Sequence, residues 1–472
     1  MPLNKQAFYI LFFFLLFSNV VFSQIQQENS PYSFFGIGDL KSNNIALNRS
    51  MADIANAYSS PLHINTKNPA TLGDLKFATL HTGIFGNGYW LNNSQSSTNE
   101  VFKNKSFNAS MEYLVVGVPV GKIWGMAVSL KPYSRTSYDI LRRAENPNIV
   151  ELDSLMQEYT RFLGSGEYYN LQWSNGASTP IRTEGLLKSN QFSIGVNTNY
   201  YFGNRSKSTL IYHPNIAGSL GFLESESIQI NNWVWGLNAG ILYKKRFFKD
   251  VVVNDKKTRE EVDKILTLGL TFQSKSNLNA TRDFLTESVL LSSENNVVSG
   301  NSDTIGNFSI GEEGILTNPT SYGFGIHYND LGNFQLELDV DFYNWSQFQS
   351  FDTPNDLKDG IKIALGGSID PKTNLSNTRG LFNRLNYRFG AYYYSNHIQL
   401  DTQDYPDVGL TFGFGLPINN NLKFKRFANI NLAFNLGQRG SILNNNIRET
   451  YFKTTIGFSF NDGGWFIKRK YD

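Results

Sequence analysis

Three carboxylates stand at every second position of one short stretch, Phe334-Gln335-Leu336-Glu337-Leu338-Asp339-Val340-Asp341-Phe342. Acids spaced by two share one face of an extended chain. There they can pair with cations or accept hydrogen bonds from a neighbouring backbone. Cations follow: Lys362, then Arg384 and Arg388 on one face of another alternating run. Two kinds of chemistry suit such a set. One is an ion-pair network that stiffens a wall and holds what packs on it. The other is a polar track in which an arginine fork binds a ligand carboxylate.

Bond-breaking chemistry has less to stand on. The five histidines, His63, His81, His213, His327 and His397, form no close-spaced set with Ser or Asp and no metal-site spacing. Gly36-Ile37-Gly38 lacks the third glycine and the helix start of a phosphate loop. No cysteine is present, so there is neither a disulfide framework nor a thiolate zinc site. No catalytic residue, no metal and no cofactor are expected. A net charge of +2 leaves no electrostatic footprint for nucleic acid.

The elements that position these charges are β-strands. In the stretch around Asp339 the apolar set, Phe334, Leu336, Leu338, Val340 and Phe342, takes one face and the acids the other. In a soluble sandwich the acids would be the wet outside. In a membrane barrel the apolar face meets lipid and the acids line the lumen. The same alternation recurs from Lys76 onward, as in Leu410, Phe412, Phe414 and Leu416, or Phe452, Thr454, Ile456, Phe458 and Phe460. It predicts fourteen strands, at 76–90, 107–120, 123–138, 189–203, 206–224, 230–247, 262–280, 319–329, 332–345, 361–370, 384–399, 405–417, 428–438 and 449–460. Stretches at 157–163 and 281–312 could extend strands or form hairpins above the barrel.

Three observations favour the membrane reading. Connections after even strands include very short ones at Gly121-Lys122, Asn204-Arg205 and Asp330-Leu331. The longest, 139–188 and 281–318, follow odd strands, which matches short periplasmic turns and long outer loops. Aromatics cluster at strand ends (Tyr89, Trp90, Tyr343, Trp345, Tyr392, Tyr393, Tyr394), as interface girdles do. The N-terminus has Lys5, an apolar run from Phe8 to Phe17 and Val21-Phe22-Ser23, which reads as a secretory signal peptide cleaved near Ser23. The expected fold is an all-β transmembrane antiparallel barrel in the cell outer membrane, with the lipid bilayer as partner. The divisions are 1–23 signal peptide, 24–75 an irregular N-terminal segment with a helical piece near Asn48 to Tyr58, 76–460 barrel and 461–472 periplasmic tail.

The segment Ser30-Pro31-Tyr32-Ser33-Phe34-Phe35-Gly36-Ile37-Gly38, then Asn68-Pro69-Ala70, then fourteen strands, resembles the FadL-type family of outer-membrane transporters for long-chain fatty acids and aromatic hydrocarbons. The Gly437-Gln438-Arg439-Gly440 turn and the tail Trp465 to Asp472 look like the Bacteroidota branch of that family. The resemblance implies that residues 24–75 form a hatch inside the lumen. It further implies that an apolar ligand binds against the hatch and leaves sideways through a gap in the wall. Phe34, Phe35, Gly36 and Gly38 are then candidates for a ligand surface or for plain packing, and Asn68-Pro69 for a rigid turn. Glu337, Asp339, Asp341, Lys362, Arg384 and Arg388 are expected to point into the lumen, where an arginine could take a fatty-acid head group.

Two functions follow as expectations. The first is passive uptake of hydrophobic small molecules. The second is a plugged barrel serving other outer-membrane proteins as a subunit or docking partner of an assembly or secretion complex. For the second, the outer loop at 139–188 offers a helix-like run, Ile149 to Tyr159, with Tyr168, Tyr169 and Trp173. A continuous apolar pocket with a wall opening would mark the transporter. A sealed lumen and a flat aromatic outer face would mark the partner protein.

Overall fold

The computed structural model describes residues 30–464, apart from 95–100, 144–157, 184–185, 214–219, 254–255, 292–296, 307, 352, 355–356, 370–381, 401–402, 422–425 and 441–446. The signal-peptide expectation, the helix-like run at 149–157 and the tail from Trp465 fall outside these residues.

Alternating side chains make strands, and the strands close on themselves. The first seven wall strands are β1 (Ala78–Ser94), β2 (Val101–Pro119), β3 (Trp124–Arg143), β4 (Tyr159–Ser178), β5 (Asn190–Tyr212), β6 (Leu220–Val253) and β7 (Lys256–Gln273). A tall hairpin rises next: β8 (Ser276–Leu291), β9 (Val297–Thr304) and β10 (Ser309–Asn318). The wall resumes with β11 (Ser321–Asp330), β12 (Phe334–Tyr343), β13 (Gly360–Ile369), β14 (Asn386–Tyr394), β15 (Asp407–Asn421), β16 (Arg426–Gly440) and β17 (Ile447–Asp462). Each wall strand pairs antiparallel with its neighbours, β7 pairs with β11, and β17 pairs back to β1 to close fourteen strands.

The barrel is inside out. Phe334, Leu336, Leu338 and Phe342 on β12 are exposed, as are Ile361, Ile363 and Leu365 on β13, while Glu337, Asp339 and Asp341 are buried. A water-facing belt of that many large apolar groups would be untenable, whereas lipid accepts it.

The count agrees with the expected fourteen, but two boundaries differ in compensating ways. Residues 159–178 form a wall strand rather than part of an outer loop, so Tyr168, Tyr169 and Trp173 are strand residues. Tyr168 is buried and donates to the Ile228 carbonyl, whereas Trp173 faces out. This strand carries polar groups on both faces in its first half, which hides the period of two. Conversely, Asn204-Arg205 lies within β5 and is no turn. Gly203 there has φ +129° opposite Tyr168, and Gly166 has φ +123° opposite Arg205. Both are backbone states that favour glycine, so the turn-like composition marks a bend in a long strand pair. The girdle also needs correction. Trp90 and Tyr393 face outward, but Tyr89 and Trp345 are buried, and Tyr343, Tyr392 and Tyr394 turn toward the lumen.

Residues 30–75 pack inside this wall. They contain a single helical turn, Ala46–Arg49, and a 3-10 turn, Pro69–Asp74. The helical piece expected over 48–58 ends at Arg49, because Ala52 (φ 57°) and Asp53 (φ 68°) turn the chain the other way. The segment cannot bury a core of its own. Ile45, Leu47, Met51, Ile54, Ile64 and Leu72 instead pack against small wall residues such as Ala127, Ala364 and Ala433.

Candidate functional site

The alternating acids of β12 hold the plug. Glu337 Oε1 accepts from the backbone N–H groups of Ala57 at 2.9 Å and Tyr58 at 3.1 Å. Asp339 Oδ2 accepts from Ala55 at 2.8 Å and Asn56 at 3.0 Å. Asp341 accepts from the Asn56 amide at 2.9 Å and pairs with Lys67 at 2.7 Å. The acids lie on alternate residues of one strand, and the plug residues they grip are consecutive, from Ala55 to Tyr58. The period of two thus becomes a ladder of hydrogen bonds to an irregular backbone that has no strand partner of its own.

The basic residues do not join the acids on one wall track. Lys362 lies beside Asp341 in register but pairs with Asp53 of the plug at 3.5 Å. Arg388 points into the barrel and donates to Asn431 of the wall at 2.8 Å. Arg384 is a correction. The strand starts at Asn386, so Arg384 sits in the preceding 3-10 turn, exposed, and donates to the Pro417 carbonyl.

The same logic repeats around the lumen. Plug residue Asp39 pairs with Arg439 at 2.7 Å, Arg49 with Glu112 at 2.7 Å, and Asp74 with Lys244. With Lys67–Asp341 and Asp53–Lys362, five plug charges meet opposite wall charges. Burial alone would raise the Asp39 carboxyl, but Arg439 and Lys41 outweigh it and hold the group below the usual carboxylate range. Burial likewise opposes the charged forms of Asp53 and Asp74, and Lys362 and Lys244 respectively overcome it. His63 is pushed toward its neutral form, well below its ordinary value, by burial and then by His81 and Arg388.

Asn68 and Pro69 sit at the closest plug–wall approach. Asn68 caps the 3-10 turn by accepting from Ala70 and donates to the Asn56 carbonyl at 2.6 Å. A Cβ at Gly240 would stand 2.0 Å from Asn68 Oδ1, and one at Gly195 2.4 Å from the Pro69 carbonyl carbon. Phe34 and Phe35 lie on the outer side of the plug. Their rings meet edge to face, Tyr138 packs on Phe34, and Lys207 lies over the Phe34 ring at 4.5 Å. Gly36 (φ 54°) and Gly38 (φ 103°) turn the chain between them and the plug strand Asp39–Leu40.

A cavity of about 350 Å³ lies between plug and wall. Its lining sets Arg49, Asp53, Lys67, Asp341 and Lys362 beside aromatic side chains such as Phe85, Phe272, Tyr343, Tyr392 and Phe434. Neither the Phe34–Gly38 group nor Asn68-Pro69 lines it. The wall beside it is split. β2 and β3 pair only from Leu114–Leu130 to Pro119–Gly125. Above that, Asp39 and Leu40 of the plug take the seat next to β3, opposite Arg135 and Ser134. That seam has no signature in sequence, because it depends on which of two strands wins an edge.

One pair missed in the sequence is His81 with Ser459, whose Nδ1 and Oγ lie 2.8 Å apart. His81 Nε2 accepts from the Ile64 N–H, so Nδ1 must carry the ring proton and donate to Ser459. The serine also accepts from Asn431. A histidine in this tautomer cannot take the serine proton, so the pair joins β1 to β17 while Nε2 anchors the plug at Ile64, and it activates no nucleophile. Among the described residues no group of acids and histidines could hold a metal.

An inside-out, fourteen-stranded barrel filled by its own N-terminal segment has the fold of the FadL-like transmembrane β-barrels. The family model that matches is BamG, over residues 5–472, and the chain is a member of the BamG family. Among solved structures, the Ralstonia pickettii toluene transporter TbuX superimposes with a TM-score of 0.50 at 13% identity, over 89% of this chain and 99% of the other. A Pseudomonas aeruginosa FadL homologue gives 0.51 at 11% identity, over 90% and 99%. At such identities the likeness is one of fold. No curated protein sequence matches.

Proposed function

We propose that this chain is an outer-membrane barrel with a fixed plug that serves as a subunit or docking partner of an outer-membrane assembly. The observation that carries the reading is the bonding of the plug. Five opposite-charge pairs and the β12 acid ladder hold it, and withdrawal of the plug would take those partners from buried wall groups. The cavity beside it mixes aromatic rings with charges and amides, so a hydrocarbon inside would gain burial but would also strip water from polar groups.

Uptake of hydrophobic small molecules is the second reading, by analogy with TbuX, a toluene transporter. The split between β2 and β3 favours it, since it offers a sideways path between lumen and lipid. Purification from native membranes in mild detergent, alongside uptake assays on a deletion strain, separates the two. Recovery in a stoichiometric complex with uptake unchanged supports the docking role. A protein that always elutes alone, with slowed uptake of a hydrophobic substrate on deletion, overturns it.

A further inference from the structure

The hairpin β8–β10 stands above the lipid belt. On β7 the outward residues are Leu268 and Leu270, but on β8 they become Asn277, Asn279, Thr281 and Asp283, all exposed. That change of polarity marks where lipid ends. Above it stand three large apolar side chains, Ile305 at 55%, Phe308 at 64% and Ile310 at 71% exposure. Ile305 and Phe308 flank the bend between β9 and β10, and Ile310 follows two residues on. Lipid does not reach them, and apolar groups gathered in water signal a partner.

Beside them runs a free strand edge. One edge of β10 pairs with β8 from Asn318 to Ser309. Among the described residues the other edge meets Ser350, opposite Leu316, and Phe351, whose N–H donates to the Ile315 carbonyl. Alternation turns the N–H and C=O of Glu313 the same way as those of Ile315. Among the described residues no strand pairs with that edge from Ser309 to Gly314. An added Cβ at Gly311 would meet nothing within 4 Å, so the face of the strand is uncovered at that point, whereas Phe351 covers Gly314. The surroundings are acidic: Glu313, Asp303, Asp283 and Glu224 are exposed, and the nearby Arg282 is taken by Glu312 at 2.8 Å.

We infer that the β10 edge and the cluster Ile305, Phe308 and Ile310 form a docking surface for an extended strand of another protein, one carrying apolar side chains and Lys or Arg. Strand addition satisfies the Glu313 backbone groups, the apolar side chains cover the cluster, and the cations meet the acids. A second copy of this chain would bring the same acids against each other, so the edge discriminates against self-pairing. The inference rests on the docking role proposed above and names where the docking occurs.

The test uses the full chain in native membranes with two alterations of the outer surface. Phe308→Glu with Ile310→Glu removes the apolar cluster. Glu313→Pro removes the outward N–H without touching the β8 ladder. Asn279→Gln on the polar face is the control. Heat-modifiable gel mobility verifies that each barrel has folded. The protein recovered stoichiometrically with wild type should fall about tenfold or more with either edge variant and stay unchanged with the control. Equal recovery from both folded edge variants overturns this surface and leaves the docking role standing. Recovery of two differently tagged copies together overturns the choice of occupant. A wild-type chain that elutes alone overturns the docking role itself.

Discussion

Asp339 shows what one side chain does here. Its Oδ2 takes two consecutive backbone N–H groups, those of Ala55 and Asn56, in a place from which water is excluded. Asp339→Ala leaves both donors buried and unsatisfied, at about 1–3 kcal/mol each. The loss falls on the plug and not on the wall, because the β12 ladder to β11 and β13 is made by backbone. Hydrogen exchange at Ala55 to Tyr58 should therefore quicken in the variant while the barrel keeps its heat-modifiable mobility. Unchanged exchange there would show that the acid ladder does not hold the plug. Acid titration probes the plug's other anchors, its ion pairs with Arg439, Lys362 and Lys244. Asp39, Asp53 and Asp74 all have folded values below their ordinary ones. A depressed value contributes stability in full above the unfolded value of about 4 and loses it as pH falls through the folded value. Protease protection of residues 30–75 should thus hold at neutral pH, begin to fall below about 6.5, where release of the plug lets His63 take a proton, and fall more steeply below about 4 as the aspartates lose their share.

At the scale of elements, the plug fits because the wall withholds side chains where the two touch. Gly240→Val would drive a branched side chain into Asn68, whose Oδ1 leaves no room even for a Cβ. The cost should be about 1–3 kcal/mol or more, read as a lower temperature at which the plug becomes protease-sensitive in a barrel that still resists detergent. A barrel that fails to assemble would instead mean that the plug templates the wall. The β12 acids are legible in the sequence by alternation alone, since a one-residue slip would put them in lipid. Alternation also assigns the outward rows Phe334 to Phe342 and Ile361 to Leu365. It fails for 159–178, where both faces are polar near the top, and at Gly203, where a bend looks like a turn. Arg384 is misplaced by it because a strand start is a matter of two residues, which periodicity cannot resolve. The plug's partners are out of its reach altogether. Asp39 meets Arg439 across four hundred positions of chain, and the seam where Asp39–Leu40 displaces β2 from β3 is a competition between edges that local pattern does not record.

At the scale of the whole molecule, the question is whether the plug must move for the barrel to work, and the chain is suited to asking it because it contains no cysteine. A Cβ at Gly390 on β14 would stand 2.8 Å from the Cβ of Ala52 in the plug. That is inside the separation of about 3.8 Å that a disulfide takes, so a small retreat of the backbone would let Ala52→Cys and Gly390→Cys bridge. The bridge would join the plug to the strand next but one to β12, so it fixes the middle of the plug beside the segment that the acid ladder already grips. If the plug is a permanent filling, the oxidised and reduced proteins should be recovered with their partner in equal amount and should support growth of a deletion strain equally well. If hydrophobic cargo must pass the plug, oxidation should abolish uptake and reduction should restore it. Each single-cysteine variant serves as its own control for the substitution. A defect shared by Gly390→Cys alone would report crowding at that glycine, and only a defect confined to the oxidised double variant would show that motion is needed. The five ion pairs argue for the first outcome, since withdrawing the plug would strip Glu112 and Lys244 of the plug charges they meet, leave Arg439 with Glu449 alone, and leave Asp341 and Lys362 only each other.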